Sequence, residues 1–126
     1  IKAEKTRGNR RFFPVGLSDA DRAVLSLLRA HTCRHLLLAL LERPGLTHKA
    51  LTRRLALSPS SITWSLQRLD AHRLLRIAEH GREKHYALAD APRVLRILTA
   101  YHDSFLDRLV DRFIESFSLR EASLKL

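Results

Sequence analysis

Residues 58–69 read SPSSITWSLQRL, and the rest of the chain is organised around this stretch. Ser58 belongs to the residue types that cap helix N-termini, and the proline after it suits the first helical position, where its missing N–H costs nothing. Ile62, Leu66 and Leu69 then recur at helical spacing. That periodicity predicts an amphipathic helix with one apolar stripe directed towards a core.

The other face of this predicted helix carries small hydroxyls first and longer donors after them. Hydroxyl, amide and guanidinium groups can read base edges in the major groove of DNA. The candidate base-contacting residues are Ser60, Ser61, Thr63, Trp64, Gln67 and Arg68. The indole of Trp64 has two interpretations, because it can flank this exposed face or cover the edge of the core.

A shorter helix with the same pattern is predicted immediately before. Thr47 can cap residues 48–55, and only residues 56–58 separate this helix from the next. Two short capped helices joined by so tight a turn predict a helix-turn-helix. Beyond them, residues 75–79 and 84–88 flank a basic, glycine-containing turn, which is typical of a β-hairpin.

Together these features resemble the winged helix-turn-helix of the ArsR/MarR-like transcriptional regulators. Residues 46–77, LTHKALTRRLALSPSSITWSLQRLDAHRLLRI, carry most of the resemblance. It implies sequence-specific binding of double-stranded DNA, with a recognition helix over residues 59–72 in the major groove and the wing on the phosphate backbone. One departure is Ala56, where the family usually has glycine. A left-handed turn is costly for alanine, which leaves the geometry of this turn open.

The charge of the chain indicates a polyanionic partner. The net charge is +10, and residues 43–85 carry nine Lys and Arg against three Asp and Glu, whereas residues 90–126 carry six of each. A basic excess located on the motif is expected of a DNA-binding protein. The candidate phosphate-contacting residues are Thr47, Lys49, Ser58, Arg82 and Lys84.

Two other functional classes compete with a DNA-binding regulator. A winged helix can serve as a protein–protein interaction module without DNA binding, and this is the main alternative. A salt titration on random duplex DNA separates the two, because only a DNA binder loses affinity steeply as salt suppresses counterion release. An enzyme is not predicted, since the sequence has no Gly-rich phosphate loop and no nucleophile with a plausible base.

The predicted fold class is mainly α with a small β-hairpin wing, a winged helix-turn-helix followed by a long C-terminal helix. The expected domains are a basic segment at 1–16, the winged helix-turn-helix at 17–90, and a dimerisation helix and tail at 91–126. Ser18 is expected to cap a first helix. Thr32 is expected to cap a second, nearly all-apolar helix at the centre of the core.

Apolar residues recur every three or four positions between residues 94 and 117 and predict one continuous helix. At roughly 1.5 Å per residue this helix would be about 39 Å long, more than one small domain can cover. A homodimer is therefore expected, in keeping with the paired half-sites of many DNA readers. The expected dimer contacts are Phe105, Leu109, Phe113 and Phe117.

His31, Cys33 and His35 raise the question of a metal site, since some ArsR relatives sense metals. The two histidines are four residues apart and can share a helix face, but Cys33 lies on the other side and no carboxylate is near them in the sequence. His102 and Asp103 do not replace the paired ligands of the family's terminal helix. No metal and no cofactor are predicted, and the sequence does not identify an effector.

Cys33 is the only cysteine, so no intrachain disulfide is possible and the cytoplasm is the expected location. No run approaches the roughly 20 apolar residues of a membrane span, and no membrane partner is expected.

The first residues resemble the predicted wing. Residues 1–13, IKAEKTRGNRRFF, and residues 76–88, RIAEHGREKHYAL, share Ala-Glu, a basic glycine-containing turn and a following aromatic residue. Some relatives, found mainly in archaea, carry two winged helices in tandem. The resemblance implies that residues 1–16 are the last hairpin of a truncated upstream module, and the alternative is a basic N-terminal arm.

Overall fold

The computed structural model describes residues 17–125, and side chains through residue 118. The hairpin expected within residues 1–16 lies outside the described residues. The elements in chain order are α1 (Asp19–Leu28), α2 (His31–Glu42), β1 (Leu46–Thr47), α3 (His48–Leu55), α4 (Pro59–Ala71), β2 (Leu75–His80), β3 (Glu83–Leu88), α5 (Ala91–Phe105) and α6 (Arg108–Lys125).

The predicted fold class is confirmed, with helices around one small antiparallel sheet of order β1-β3-β2. Strands β2 and β3 form the wing, with Leu75 opposite Leu88 and a turn at Gly81, whose φ of 65° favours glycine. The third strand, β1, pairs Leu46 with Tyr86 and is not predicted by the sequence. Two residues are too few to show the alternation that marks a strand.

Helix α2 lies at the centre of the core, as its apolar composition predicts. Leu36, Leu37 and Leu40 are buried, and helices α1, α3, α4 and α5 all contact α2. The predicted stripe of α4 is buried against this core as well. Burial of each such side chain contributes about 1.5–3 kcal/mol. In the described part of the chain no single helix is long and apolar enough to cross a membrane, and α1 and α2 meet those criteria only as a pair bent by 108°.

The corner between α1 and α2 differs from the prediction. Ser18 caps α1 as expected, and its Oγ accepts a hydrogen bond from the Asp21 amide at 3.1 Å. However, α2 begins at His31 after an extended Ala30 that provides no side-chain cap, so the expected cap at Thr32 is wrong. At the same corner, the Leu28 carbonyl at the end of α1 accepts a hydrogen bond from Arg34 Nη1 at 3.0 Å.

The predicted continuous C-terminal helix is wrong, because the chain breaks it at Leu106. This residue ends α5 in a left-handed conformation, with φ 51°. Asp107 then starts α6, and its Oδ1 accepts from the Leu109 amide at 3.1 Å. The break places the Asp107 carboxylate inside the protein, where Arg34 Nε and His35 Nε2 lie 2.8 and 2.7 Å from Oδ2.

The surroundings of Asp107 keep it ionised. Burial alone would raise the pKa of this carboxyl, but hydrogen bonds from Arg34 and His35 outweigh burial, and the pKa is lowered. A second buried carboxylate joins α1 to α5. Asp21 lies 3.2 Å from Arg96 and 3.1 Å from Arg93, and its pKa is lowered mainly by the hydrogen bond from Arg96.

Candidate nucleic-acid interface

Helix α4 presents a polar face to solvent, and it begins and ends within one residue of the predicted recognition helix. Ser60, Thr63, Trp64 and Gln67 are exposed along this face. Trp64 is 57% exposed, so it flanks the face rather than covering the core. Of the six candidate base-contacting residues, these four are thus accessible on the solvent-facing side of α4.

The other two candidates are half-buried at the edges of this face. The Ser61 hydroxyl accepts from Ser58 Oγ at 3.0 Å, and Ser58 Oγ in turn accepts from the Ser61 amide at 3.2 Å. Ser58 is thus engaged as the N-cap of α4, as its sequence position predicts. Arg68 folds back along its own helix, and its Cζ lies 4.8 Å from the centroid of the Trp64 ring, a cation–π contact.

Cys33 lies behind the recognition helix, fully buried on α2. Burial raises the pKa of the Cys33 thiol, while the charge of Arg68 and the nearby Ser65 hydroxyl act in the opposite direction. The thiol is therefore neutral, as is typical of a cysteine buried in a core. It lies on the α4 side of α2, next to Ser65, rather than with the imidazoles of His31 and His35.

Four candidate phosphate-contacting residues line one cavity of about 370 Å³ between the start of α3 and the tip of the wing. They are Thr47, Lys49, Arg82 and Lys84. Thr47 caps α3, its Oγ1 accepting from the Ala50 amide at 3.1 Å. Within the described residues Lys49, Arg82 and Lys84 form no ion pair, so their charge is directed outward. Ser58, the fifth candidate, lies apart from this cavity at the start of α4.

A second groove, of about 260 Å³, runs between α4 and the wing. Thr63, Gln67 and Asp70 line it on the helix side, and Ile77, Lys84 and Tyr86 line it on the wing side. Ile77 is 40% exposed, so the groove combines an apolar wall with polar groups. The helix face, the wing and the start of α3 therefore form one continuous concave surface.

His48 lies at the junction of the two cavities and lines both. Its Nε2 is 2.8 Å from Thr63 Oγ1 on the recognition helix, and its Nδ1 is 3.5 Å from Thr52 Oγ1 on α3. Sequence reasoning missed this residue, because the histidine and threonine are 15 positions apart and meet only when α3 and α4 cross. The signal that could have found it is its place immediately after the Thr47 cap.

The structure places a carboxylate close to His31 and His35, contrary to the expectation from the sequence that none lies nearby. Ligand atoms of His31, His35 and Asp107 lie within 4.8 Å of one another, because the break before α6 brings Asp107 to α2. The Arg34 guanidinium occupies the same carboxylate oxygen, so a metal ion would have to compete with a resident cation. His102, Asp103 and Asp111 form a similar but more exposed group at the α5–α6 corner.

The four expected dimer contacts differ in their exposure. Leu109 is 49% exposed, whereas Phe113 is buried in its own chain and stacks on Phe117 with ring centroids 6.2 Å apart. Phe105 is half-buried beneath Arg34, whose Cζ lies 5.3 Å from the ring centroid. Leu106, at the helix break, is 91% exposed and was not among the expected contacts.

Comparison with known proteins agrees with this geometry. A family model described as winged helix-turn-helix DNA-binding matches residues 30–71, from the start of α2 to the end of α4. The matched residues and the fold agree with the winged helix-turn-helix that the resemblance to ArsR/MarR-like regulators implied.

Several solved structures of transcriptional regulators share the fold. HlyU from Vibrio cholerae is 20% identical, with 71% of this chain and 96% of that chain covered and a TM-score of 0.60. The antimony-specific transcriptional repressor AntR is 24% identical over the full length of both chains, with a TM-score of 0.57. MepR of S. aureus in complex with DNA is 17% identical, with 84% of this chain and 83% of that chain covered and a TM-score of 0.53. No curated protein sequence matches the chain.

Proposed function

We propose that this chain is a sequence-specific transcriptional regulator that binds double-stranded DNA with α4 in the major groove. The observation that carries the proposal is the continuous surface of α4, the start of α3 and the wing, on which base-reading groups adjoin unpaired cations. Ser60, Thr63, Trp64 and Gln67 would face bases, with Ser61 and Arg68 at the edges. Thr47, Lys49, Arg82 and Lys84 would contact phosphates, because phosphate contacts position a protein and base contacts specify the site.

The test has two arms on the same protein. Affinity for random duplex DNA is measured as salt is raised, and a steep linear fall of log K with log salt is expected from counterion release. Selection of bound sites from a random duplex pool should then yield a defined sequence. Little binding at any salt would overturn the proposal and favour a protein–protein interaction module.

We also propose that the chain forms a homodimer through the start of α6. Leu106, at the break between α5 and α6, and Leu109, in the first turn of α6, are exposed, and Phe113 and Phe117 follow further along α6. Light scattering at tens of micromolar should give a dimer mass, and Leu106→Ser with Leu109→Ser should give a monomer. Ile77→Ser, at an exposed apolar residue of the wing, is the matched control and should remain dimeric. A monomeric unaltered chain would contradict the proposal.

The proposed role is regulatory rather than enzymatic, and the proposed setting is the cytoplasm. A single buried thiol suits a reducing compartment. Selection of bound DNA also tests the dimer, because a two-fold protein pair selects two inverted half-sites about one helical turn apart.

A further inference from the structure

Two residues of α3 determine whether the Thr63 hydroxyl donates or accepts a hydrogen bond. This assignment decides which groups on a DNA base Thr63 can contact. The Thr52 hydroxyl donates its only proton to the His48 carbonyl oxygen at 2.9 Å. Towards the His48 ring, 3.5 Å away at Nδ1, the Thr52 oxygen can therefore only accept. The proton of a neutral His48 ring accordingly belongs on Nδ1.

The position of that proton fixes the other side of the ring. In a neutral imidazole one nitrogen donates and the other accepts, so Nε2 is left as an acceptor. Thr63 Oγ1 lies 2.8 Å from Nε2 and must donate its single proton to it. The oxygen of Thr63 then has only lone pairs to offer to the groove between α4 and the wing.

We propose that Thr63 reads an exocyclic amino group in the major groove, positioned by His48 and Thr52. This proposal rests on the DNA-binding function proposed above, and it adds that Thr63 accepts a hydrogen bond and the base donates it. In the major groove only adenine N6 and cytosine N4 present hydrogen-bond donors, whereas guanine and thymine present acceptors. The base facing Thr63 is therefore adenine or cytosine on the strand nearest α4.

Thr52 gives the sharpest test, because it belongs to α3 and its hydroxyl is engaged within that helix and with His48. Thr52→Val keeps the shape of the side chain but removes the acceptor for Nδ1, so the ring is free to adopt either tautomer. Competition between duplexes that differ at the selected position should show discrimination against guanine and thymine reduced about three- to tenfold, the range of one hydrogen bond. Thr52→Ser retains the hydroxyl and should keep the discrimination.

Thr63→Val should abolish the preference at this single position and leave the rest of the selected site intact. Affinity for random duplex DNA checks folding in each variant, since phosphate contacts do not pass through Thr63. A selected guanine or thymine opposite Thr63, or unchanged discrimination in Thr52→Val, would overturn the proposal. If the unaltered protein did not bind duplex DNA at all, the proposed DNA-binding function itself would be overturned.

Discussion

The two ends of the winged domain use charge in opposite ways. Around α3, α4 and the wing, Lys49, Arg82 and Lys84 have no ion-pair partner among the described residues, and residues 43–85 have a net charge of +6 from nine basic and three acidic side chains. At the terminal helices, which are electrically balanced, the important carboxylates are buried and paired. Asp107 binds Arg34 and His35 of α2, and Asp21 of α1 binds Arg93 and Arg96 of α5.

This difference shows how the same residue types serve two purposes. A buried carboxylate that satisfies an arginine fixes the relative position of two helices, because either charge left alone in the interior is costly. A cation with no partner keeps its field directed towards solvent and attracts a polyanion. The terminal helices thus stabilise a scaffold, and the wing surface remains free to bind.

The largest expected effect comes from breaking the pair at the α6 start. Asp107→Asn leaves the Arg34 guanidinium buried without a counter-charge, and removal of one partner of a buried pair costs about 3–5 kcal/mol. The free energy of unfolding from urea titration measures this loss. Asp103→Asn is the control, because the Asp103 side chain is 95% exposed and its removal should change little. Equal effects for the two variants would mean that the buried pair does not hold the scaffold.

Acid should weaken the scaffold through both buried carboxylates. The pKa values of Asp21 and Asp107 are lowered in the folded protein, mainly by Arg96 and by Arg34 with His35. The stability that they contribute is complete above the ordinary carboxyl pKa of about 4 and is lost as pH falls through the lowered values. Unfolding free energy should therefore fall below about pH 4.

The control for the acid effect is the double variant Asp21→Asn with Asp107→Asn. Its stability at neutral pH is lower, but its further loss between about pH 5 and about pH 3 should be smaller than in the unaltered chain. An equally steep acid loss in the double variant would assign the effect to other carboxyls.

Neutralising the wing surface should alter DNA binding rather than stability. The triple variant Lys49→Gln, Arg82→Gln and Lys84→Gln should bind random duplex more weakly. Its salt slope should be shallower by about 0.9 for each phosphate that the variant no longer neutralises. Arg108→Gln with Arg112→Gln, on the exposed side of α6, is the matched control in the balanced half and should leave the slope unchanged. A slope equally shallow in both variants would remove the contrast between the two ends.

Local features of this fold could be predicted from the sequence, and features that depend on distant partners could not. The caps Ser18, Thr47 and Ser58 formed as predicted, because each accepts from an amide three residues away. The buried stripe and the exposed face of α4 likewise follow from helical periodicity. The position of Arg82 and Lys84 at the wing tip likewise followed from the glycine turn beside these two residues.

The helix break at Leu106 could not be predicted in this way. The apolar spacing continues across it, and the partners of Asp107 lie 72 and 73 residues earlier in the chain. His48 was missed for the same reason, since its contact with Thr63 exists only once α3 and α4 have crossed. The two longest-range polar contacts among the described residues, Asp21–Arg96 and Arg34–Asp107, are thus the ones that periodicity cannot reveal.

The smallest predicted effect concerns the turn before the recognition helix. Ala56 ends α3 with φ 55° and ψ 43°, so the turn takes the left-handed form despite the absence of glycine. That conformation costs an L-residue roughly 1–2 kcal/mol, which glycine avoids. Part of this gain is offset, because glycine gives the unfolded chain greater conformational freedom. Ala56→Gly should therefore stabilise the protein by about 0.5–1 kcal/mol. Ala50→Gly, inside α3, should destabilise it by about 1 kcal/mol. Urea unfolding of the two variants compares the same substitution at two backbone conformations. If both variants lost stability, the left-handed conformation of Ala56 would carry no net strain relative to glycine.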